Sequence, residues 1–212
     1  VVPIYKGGEK HSCKNYRPVS LLSNISKAFE RILYNQMIAF INENNILDSF
    51  QHGFRQHHST STCLTLLTNN ILQHTDNQMK VALIPLDFSK AFDTIMHALL
   101  LLKLKYCNFS NRSADLIESY LTNRRQQVKI ADSFSSTLNC NHGVPQGSIL
   151  GPLFFIIYIN DIIISSIIHS SFYAFADDYT LQTLTKDVST PIFKFNEDLK
   201  AISKYCQNNQ LF

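Results

Sequence analysis

Asp87 closes one apolar run, and the adjacent pair Asp177 and Asp178 closes another far downstream. Carboxylates so placed suit two divalent metals, hard cations that clamp the attacking and leaving oxygens of a phosphoryl transfer. The chemistry they point to is nucleotidyl transfer. With 16 Asp and Glu among 212 residues, an adjacent acidic pair is more often a solvated turn, so the flanking residues have to decide. Phe172 to Ala176 form an aromatic, small-residue run of strand character, and Tyr179 to Leu184 resume a strand-like pattern at once. The pair is therefore expected in the tight turn of a hairpin, whose strands would hold both carboxylates rigid.

Asp87 needs a positioning element of its own. Val81, Ala82, Leu83, Ile84 and Leu86 make a strand, and Ser89 is placed to cap a helix over AFDTIMHALLLLKL at 91–104. A strand-to-helix junction fixes a carboxylate at its base and exposes it at its tip. The plainer reading is that Asp87 merely opens a turn. Pro85 argues against a central strand, because proline donates no ladder hydrogen bond.

The rest of the pattern is mixed α and β without repeats. Apolar residues recur at helical intervals over 27–42, 62–74 and 192–205. Leu153 to Ile168 is the longest apolar stretch, but Asn160, Asp161, Ser165 and Ser166 interrupt it, so a buried helix is expected there and not a membrane span. The opening VVPIYKGGEK has no charged leader followed by an apolar core. A chain of this length at 45% hydrophobic can bury one core or two packed subdomains. Net charge is only +3, and the basic excess lies in residues 1–140, while 141–212 carry six acids against four bases. So modest a charge leaves much of any nucleic-acid affinity to other segments of a longer protein. Five scattered cysteines without a CxxC pair indicate a reducing compartment. His52, His57, His58 and Cys63 imitate a zinc cluster, yet their spacing is not that of the common zinc folds.

Six blocks in order resemble the reverse transcriptase domain of non-LTR (LINE-like) retrotransposons: NYRPVSLLSNISKAFERIL (15–33), QHGFRQHHST (51–60), LDFSKAFDT (86–94), YLTNRRQQVKI (120–130), GVPQGSILGPLFFIIYIND (143–161) and FADD (175–178). The resemblance implies an α+β right-hand polymerase fold, with an antiparallel palm sheet backed by helices. Residues 1–79 would be fingers-like and 80–212 mainly palm. It implies RNA-directed DNA synthesis, with Asp87, Asp177 and Asp178 as catalytic ligands of two Mg²⁺ ions, or Mn²⁺ in their place. Phe92 falls where a ring beneath the incoming sugar would exclude a 2′-hydroxyl; alternatively it is a core residue. Gln146 and Gly147 belong to the nucleotide and template contact, and Arg55 to the triphosphate contact, for which a guanidinium is suited. Arg17 and Lys27 would contact template or brace the fold, and Arg124 and Arg125 would hold backbone phosphates or form a solvated hairpin rim.

Implied partners are an RNA template, a DNA primer, deoxynucleoside triphosphates, and the endonuclease and thumb of a larger polyprotein, without a membrane. The setting would be intracellular, in cytoplasm and nucleus as a ribonucleoprotein. The resemblance also implies a fragment lacking the thumb. Group II intron and telomerase enzymes are the nearest alternatives within the class. Pro85, Tyr205 in place of tryptophan and Asn108 in place of glycine depart from the pattern, and they keep open a catalytically inactive nucleic-acid-binding remnant.

Overall fold

The computed structural model describes residues 1–88, 90–166, 169–187 and 190–211, so the capping expected of Ser89 lies outside the described residues. It is an α+β chain of two compact units, each drawn from two stretches of sequence: Val1–Glu43 with Phe92–Phe155, and Asn44–Ala91 with Ile156–Phe212.

The first unit opens with β1 (Val2–Tyr5) paired antiparallel to β2 (Tyr16–Val19). Helix α1 (Asn24–Glu43) follows and buries Glu30, Met37 and Ile41. Helices α3 (His97–Tyr106) and α4 (Asn111–Leu121) pack on one another. In α4 the Ser110 hydroxyl accepts from the Ser113 amide, and Ala114, Ile117 and Leu121 are buried on one face. This helix is legible in its cap and its spacing but is absent from the sequence expectations above. Two-residue strands β4 (Arg125–Gln126), β5 (Lys129–Ile130), β6 (Ser133–Phe134) and β7 (Leu138–Asn139) form two small antiparallel pairs, β4 with β7 and β5 with β6.

The helix expected over 91–104 starts later, at His97. Tertiary pairing wins over helical spacing: the amides of Val144 and Gly143 donate to the carbonyls of Phe92 (2.9 Å) and Ile95 (2.7 Å), and Met96 bridges His142. Phe92 and Ile95 thus spend their backbone acceptors on the GVPQG segment. At the far end of α3, Asn108 takes φ of 63°, a left-handed conformation that asparagine tolerates, so its standing in place of glycine leaves no defect.

The second unit is built on a three-stranded antiparallel sheet in the order β3 (Lys80–Asp87), β9 (Asp178–Thr185), β8 (Ser171–Phe175). Helix α2 (Thr60–Asp76) packs on β3 and β8, and α7 (Thr190–Asn208) on β9 and on α6 (Ile162–Ser166). Helix α1 belongs to the first unit and α2 to the second. Helix α5 (Leu150–Ile159) buries every residue from Leu153 to Ile159, passing from the first unit into the second after Phe155. No helix among the described residues is long and apolar enough to cross a membrane. The Tyr205 hydroxyl donates to Asp161 Oδ1 at 2.5 Å, so this departure from the family pattern is also bonded within the core.

Pro85 lies inside β3, yet β3 is an edge strand of the sheet. Its register partner is Thr180, which in turn faces Tyr173 of β8. The two-residue hairpin loop Ala176–Asp177 is closed by the pair Phe175 and Asp178, a hydrogen-bonded position, so Asp178 and Thr180 direct their backbone bonds toward β8. Pro85 therefore sits at a non-hydrogen-bonded position with its nitrogen toward the unpaired edge, where a missing donor costs nothing.

Candidate active site

The same phase governs the acids. Asp87, two residues beyond Pro85, is the register partner of Asp178. Non-hydrogen-bonded partners are the closer kind, with Cα atoms about 4.5 Å apart and side chains on one face. Both aspartates are exposed, and half-buried Asp177 precedes Asp178; of the pair expected in the turn only Asp177 lies there, because Asp178 already pairs with Phe175 and opens β9. Like charges directly opposed across strands destabilise a sheet, so the fold pays for this arrangement. A cation between them would reverse the sign.

Aromatic packing fixes the floor. Tyr179, on the opposite face of β9 from Asp178, meets Phe88 edge-on at 4.9 Å and stacks on Phe172 at 5.1 Å. Burial pushes its hydroxyl well above the ordinary tyrosine range, and the neighbouring charges of Asp177, Cys206 and Asp178 add to the shift.

Gln51 was not among the expected site residues, although it opens the QHGFRQHHST block. The segment Phe50–His52 lies along the outer edge of β8, with the His52 amide donating to Ala174 O (2.8 Å) and the Ala174 amide to Phe50 O (3.1 Å). From there the buried Gln51 side chain reaches the acidic turn. Its Oε1 accepts from the amides of Gly53 (2.8 Å) and Ala176 (3.2 Å), and its Nε2 donates to Ala176 O at 3.4 Å. Gly53 lies flat on the same residue: a Cβ there would come within 2.0 Å of the Ala176 nitrogen. Arg55 belongs to this segment and is half-buried. Its Nη1 donates to Asp48 O (2.5 Å) and Gln51 O (3.2 Å).

His52, 6% exposed, bonds Thr62 Oγ1 at 2.9 Å and meets the His58 ring at 4.9 Å. Among the described residues no three His, Cys, Asp or Glu side chains are gathered to enclose a metal ion. Mg²⁺ does not require such a cage, since it is held through one or two carboxylates with waters and substrate phosphates completing its shell. The opposed, exposed Asp87 and Asp178, with Asp177 beside them, fit that ion as hard oxygen donors.

The remaining expected residues belong to the other unit. Gln146 Nε2 donates to Asp93 Oδ1 at 2.9 Å, and the Gln146 carbonyl accepts from the Ser20 amide at 2.8 Å. Gly147 has φ of 106°, and a Cβ would stand 3.1 Å from Ser20 O, so the close approach that needs glycine is to the chain's own backbone. Half-buried Phe92 packs on Phe155 with centroids 5.0 Å apart. Arg17 is exposed on β2 opposite Ile4, and Lys27 is exposed near the start of α1. Arg124 stacks on the Tyr120 ring at 5.2 Å, and Arg125 is exposed on β4. Arg124, Arg125, Asp93 and Gln146 line a groove of about 560 Å³ in this unit. The structure thus brings Gln146, Arg124 and Arg125 to one surface.

Behind that surface lies a second residue missing from the expectations. Glu30, 1% exposed, accepts from Tyr120 Oη (2.8 Å) and from the amides of Ile149 (2.6 Å) and Leu150 (3.4 Å). A buried carboxylate on α1 thereby caps α5 immediately after Gln146–Gly147–Ser148. Burial first, then Glu30, pushes the Tyr120 hydroxyl up to about 12. His97 Nε2 bonds Gly143 O at 2.8 Å, and burial lowers its pKa.

Comparison with known proteins identifies the family. A family model described as reverse transcriptase (RNA-dependent DNA polymerase) matches residues 6–212. The probable RNA-directed DNA polymerase from transposon BS of Drosophila melanogaster is 32% identical over 98% of the chain, and that from the X-element of the same species is 36% identical over 74%. The RNA-directed DNA polymerase from mobile element jockey of D. melanogaster is 28% identical over 98%. The chain spans 24%, 17% and 23% of these relatives, in the same order. Among solved structures, apo telomerase from Candida tropicalis superposes with a TM-score of 0.61 at 12% identity, covering 88% of this chain and 35% of that one. Telomerase from Candida albicans in complex with a fragment of telomeric RNA gives 0.59 at 16%, covering 89% and 34%. At such identities the likeness shows the fold, that of the right-hand polymerases.

Proposed function

Since the chain belongs to the reverse transcriptase family and matches polymerases of non-LTR retrotransposons, we propose that it is the part of such a polymerase that joins deoxynucleotides to a primer 3′-hydroxyl on an RNA template. The observation carrying this reading is Asp87 opposite Asp178, an in-register like-charge pair that only a bound cation makes favourable. Asp87, Asp177 and Asp178 would hold two Mg²⁺ ions. Bound there, the cations supply Lewis-acid stabilisation of the attacking oxygen and the departing pyrophosphate. The chain's own residues bind and orient. Arg55 has five guanidinium hydrogens, more than its two carbonyl contacts consume, and the rest would take the triphosphate. Phe92 would stand beneath the sugar, and Gln146 with Gly147 would meet nucleotide and template. Arg124 and Arg125 would hold backbone phosphates along the groove, with Arg17 and Lys27 as further template contacts.

In this reading residues 1–79 are fingers-like and 80–212 mainly palm. The partners are RNA template, DNA primer, deoxynucleoside triphosphates and the other domains of a longer polyprotein, within an intracellular ribonucleoprotein. The test is primer extension by the full-length protein carrying Asp87→Asn or Asp177→Asn. Extension should be abolished, and the metal-free melting temperature of Asp87→Asn should hold or rise, because a like-charge pair is relieved. Undiminished extension by either variant refutes the assignment. Template–primer binding by the unaltered protein, without metal-dependent extension, would instead favour the inactive binding remnant.

A further inference from the structure

We propose that Gln51 is a positioning residue for the metal-binding acids, one that sets the direction of Asp177 by clamping the backbone of Ala176. The inference rests on the polymerase reading and adds a residue to it. Ala176 takes φ of 59°, a left-handed conformation unfavourable for a residue with a Cβ. Such a residue persists where its surroundings over-determine it. Here they do so from one side and by one segment: Gln51 Oε1 and Nε2 engage the Ala176 amide and carbonyl, and Gly53 lies against its nitrogen.

The clamp continues a ladder. Backbone bonds join Phe50 and His52 to Ala174, and the Gln51 side-chain amide adds the next rung two residues on, at Ala176. A side-chain amide thus does for the turn what a neighbouring strand does for β8. With Ala176 fixed at both its N–H and its C=O, the peptide leading into Asp177 loses its freedom to rotate. The carboxylate direction is then set before any ion arrives. Gln51 also ties this turn to the triphosphate-contact candidate, since its own carbonyl accepts from Arg55 Nη1. Displacement of a reacting group by about 1 Å can cost on the order of a hundredfold in rate, so a loosened turn should show in the metal dependence.

The full-length protein carrying Gln51→Leu, and separately Gln51→Glu, is assayed for primer extension across a Mg²⁺ titration. Template–primer affinity is measured alongside by fluorescence anisotropy without metal. Leucine keeps the approximate volume and removes both hydrogen-bonding ends; glutamate keeps the acceptor and loses the donor. For Gln51→Leu, kcat should fall and the Mg²⁺ needed for half-maximal rate should rise, each about tenfold. KM for the deoxynucleotide and template–primer affinity should stay within about twofold. Gln51→Glu should fall between. In the unaltered protein the Ala176 amide should be protected from hydrogen exchange, and in Gln51→Leu it should exchange about tenfold faster while amides of α5 are unchanged. A Gln51→Leu protein with the unaltered Mg²⁺ profile, or an unprotected Ala176 amide in the unaltered protein, overturns the proposal. Extension surviving Asp177→Asn would count against the polymerase reading, and the exchange measurement would still decide the clamp.

Discussion

Removing the Glu30 carboxylate should unfasten the start of α5. Three donors converge on it, the Tyr120 hydroxyl and the amides of Ile149 and Leu150, and the residue is 1% exposed. In Glu30→Ala these donors lose a charged acceptor in a buried place. Each buried unsatisfied group costs about 1–3 kcal/mol, and with partial entry of water the loss should total about 3–5 kcal/mol. Glu30→Gln keeps the shape: its oxygen can serve the Ile149 amide while its NH₂ turns to the Tyr120 oxygen. The charge at the helix N-terminus is lost, a cost of about 1–2 kcal/mol. Domains of this size have about 5–15 kcal/mol in all, so alanine should remove a large share of the stability and glutamine a small one.

Urea unfolding followed by far-UV circular dichroism reads both variants. For a slope of about 2 kcal/mol/M the midpoint should fall by about 1.5–2.5 M in Glu30→Ala and by less than about 1 M in Glu30→Gln. Tyr120→Phe removes one of the three bonds and should be non-additive with Glu30→Ala, since both delete the same contact. A Glu30→Ala midpoint within about 0.25 M of the unaltered chain would show that water or neighbouring groups satisfy α5 unaided, and the capping argument would fail.

The remaining expectations are briefer. The Tyr120 pKa is raised in the folded chain to about 12, so its contribution to stability is intact below the unfolded value of about 10 and is lost as pH climbs through 12. Unfolding midpoints at pH 9 and pH 11.5 should therefore differ less in Tyr120→Phe than in the unaltered chain, and an equal difference would contradict the shift. Phe92→Val separates the two readings of that ring. A sugar-sensing ring predicts that discrimination against ribonucleotides falls about tenfold or more, whereas a core ring against Phe155 predicts only a stability loss of about 1–3 kcal/mol with discrimination unchanged.

Much of the fold can be read along the chain because its signals are local. The strand-like runs Phe172–Ala176 and Tyr179–Leu184 give β8 and β9, though of the two acids expected in their turn only Asp177 is there, and apolar spacing gives α1, α2 and α7. The start of α3 is not local: residues 91–96 have helical spacing, but the carbonyls of Phe92 and Ile95 pair with Val144 and Gly143, which no window around them contains. Pro85 shows the same limit from the other side, since its residue type excludes a central strand and only the sheet order reveals an edge.

For the candidate site, residue types and their order in the chain determined that Asp87, Asp177 and Asp178 are the acids of interest, because hard-cation chemistry demands carboxylates whatever the packing. Tertiary structure alone decided that Asp87 falls opposite Asp178, that Gln51 bonds Ala176 in the turn leading into Asp177, and that Glu30 is buried beneath α5. A glutamine or glutamate in a polar block looks like any solvated side chain until its partners, more than a hundred residues away, are folded against it. Chemical identity is written in each residue, whereas hydrogen-bond partners over such separations exist only once the backbone has closed.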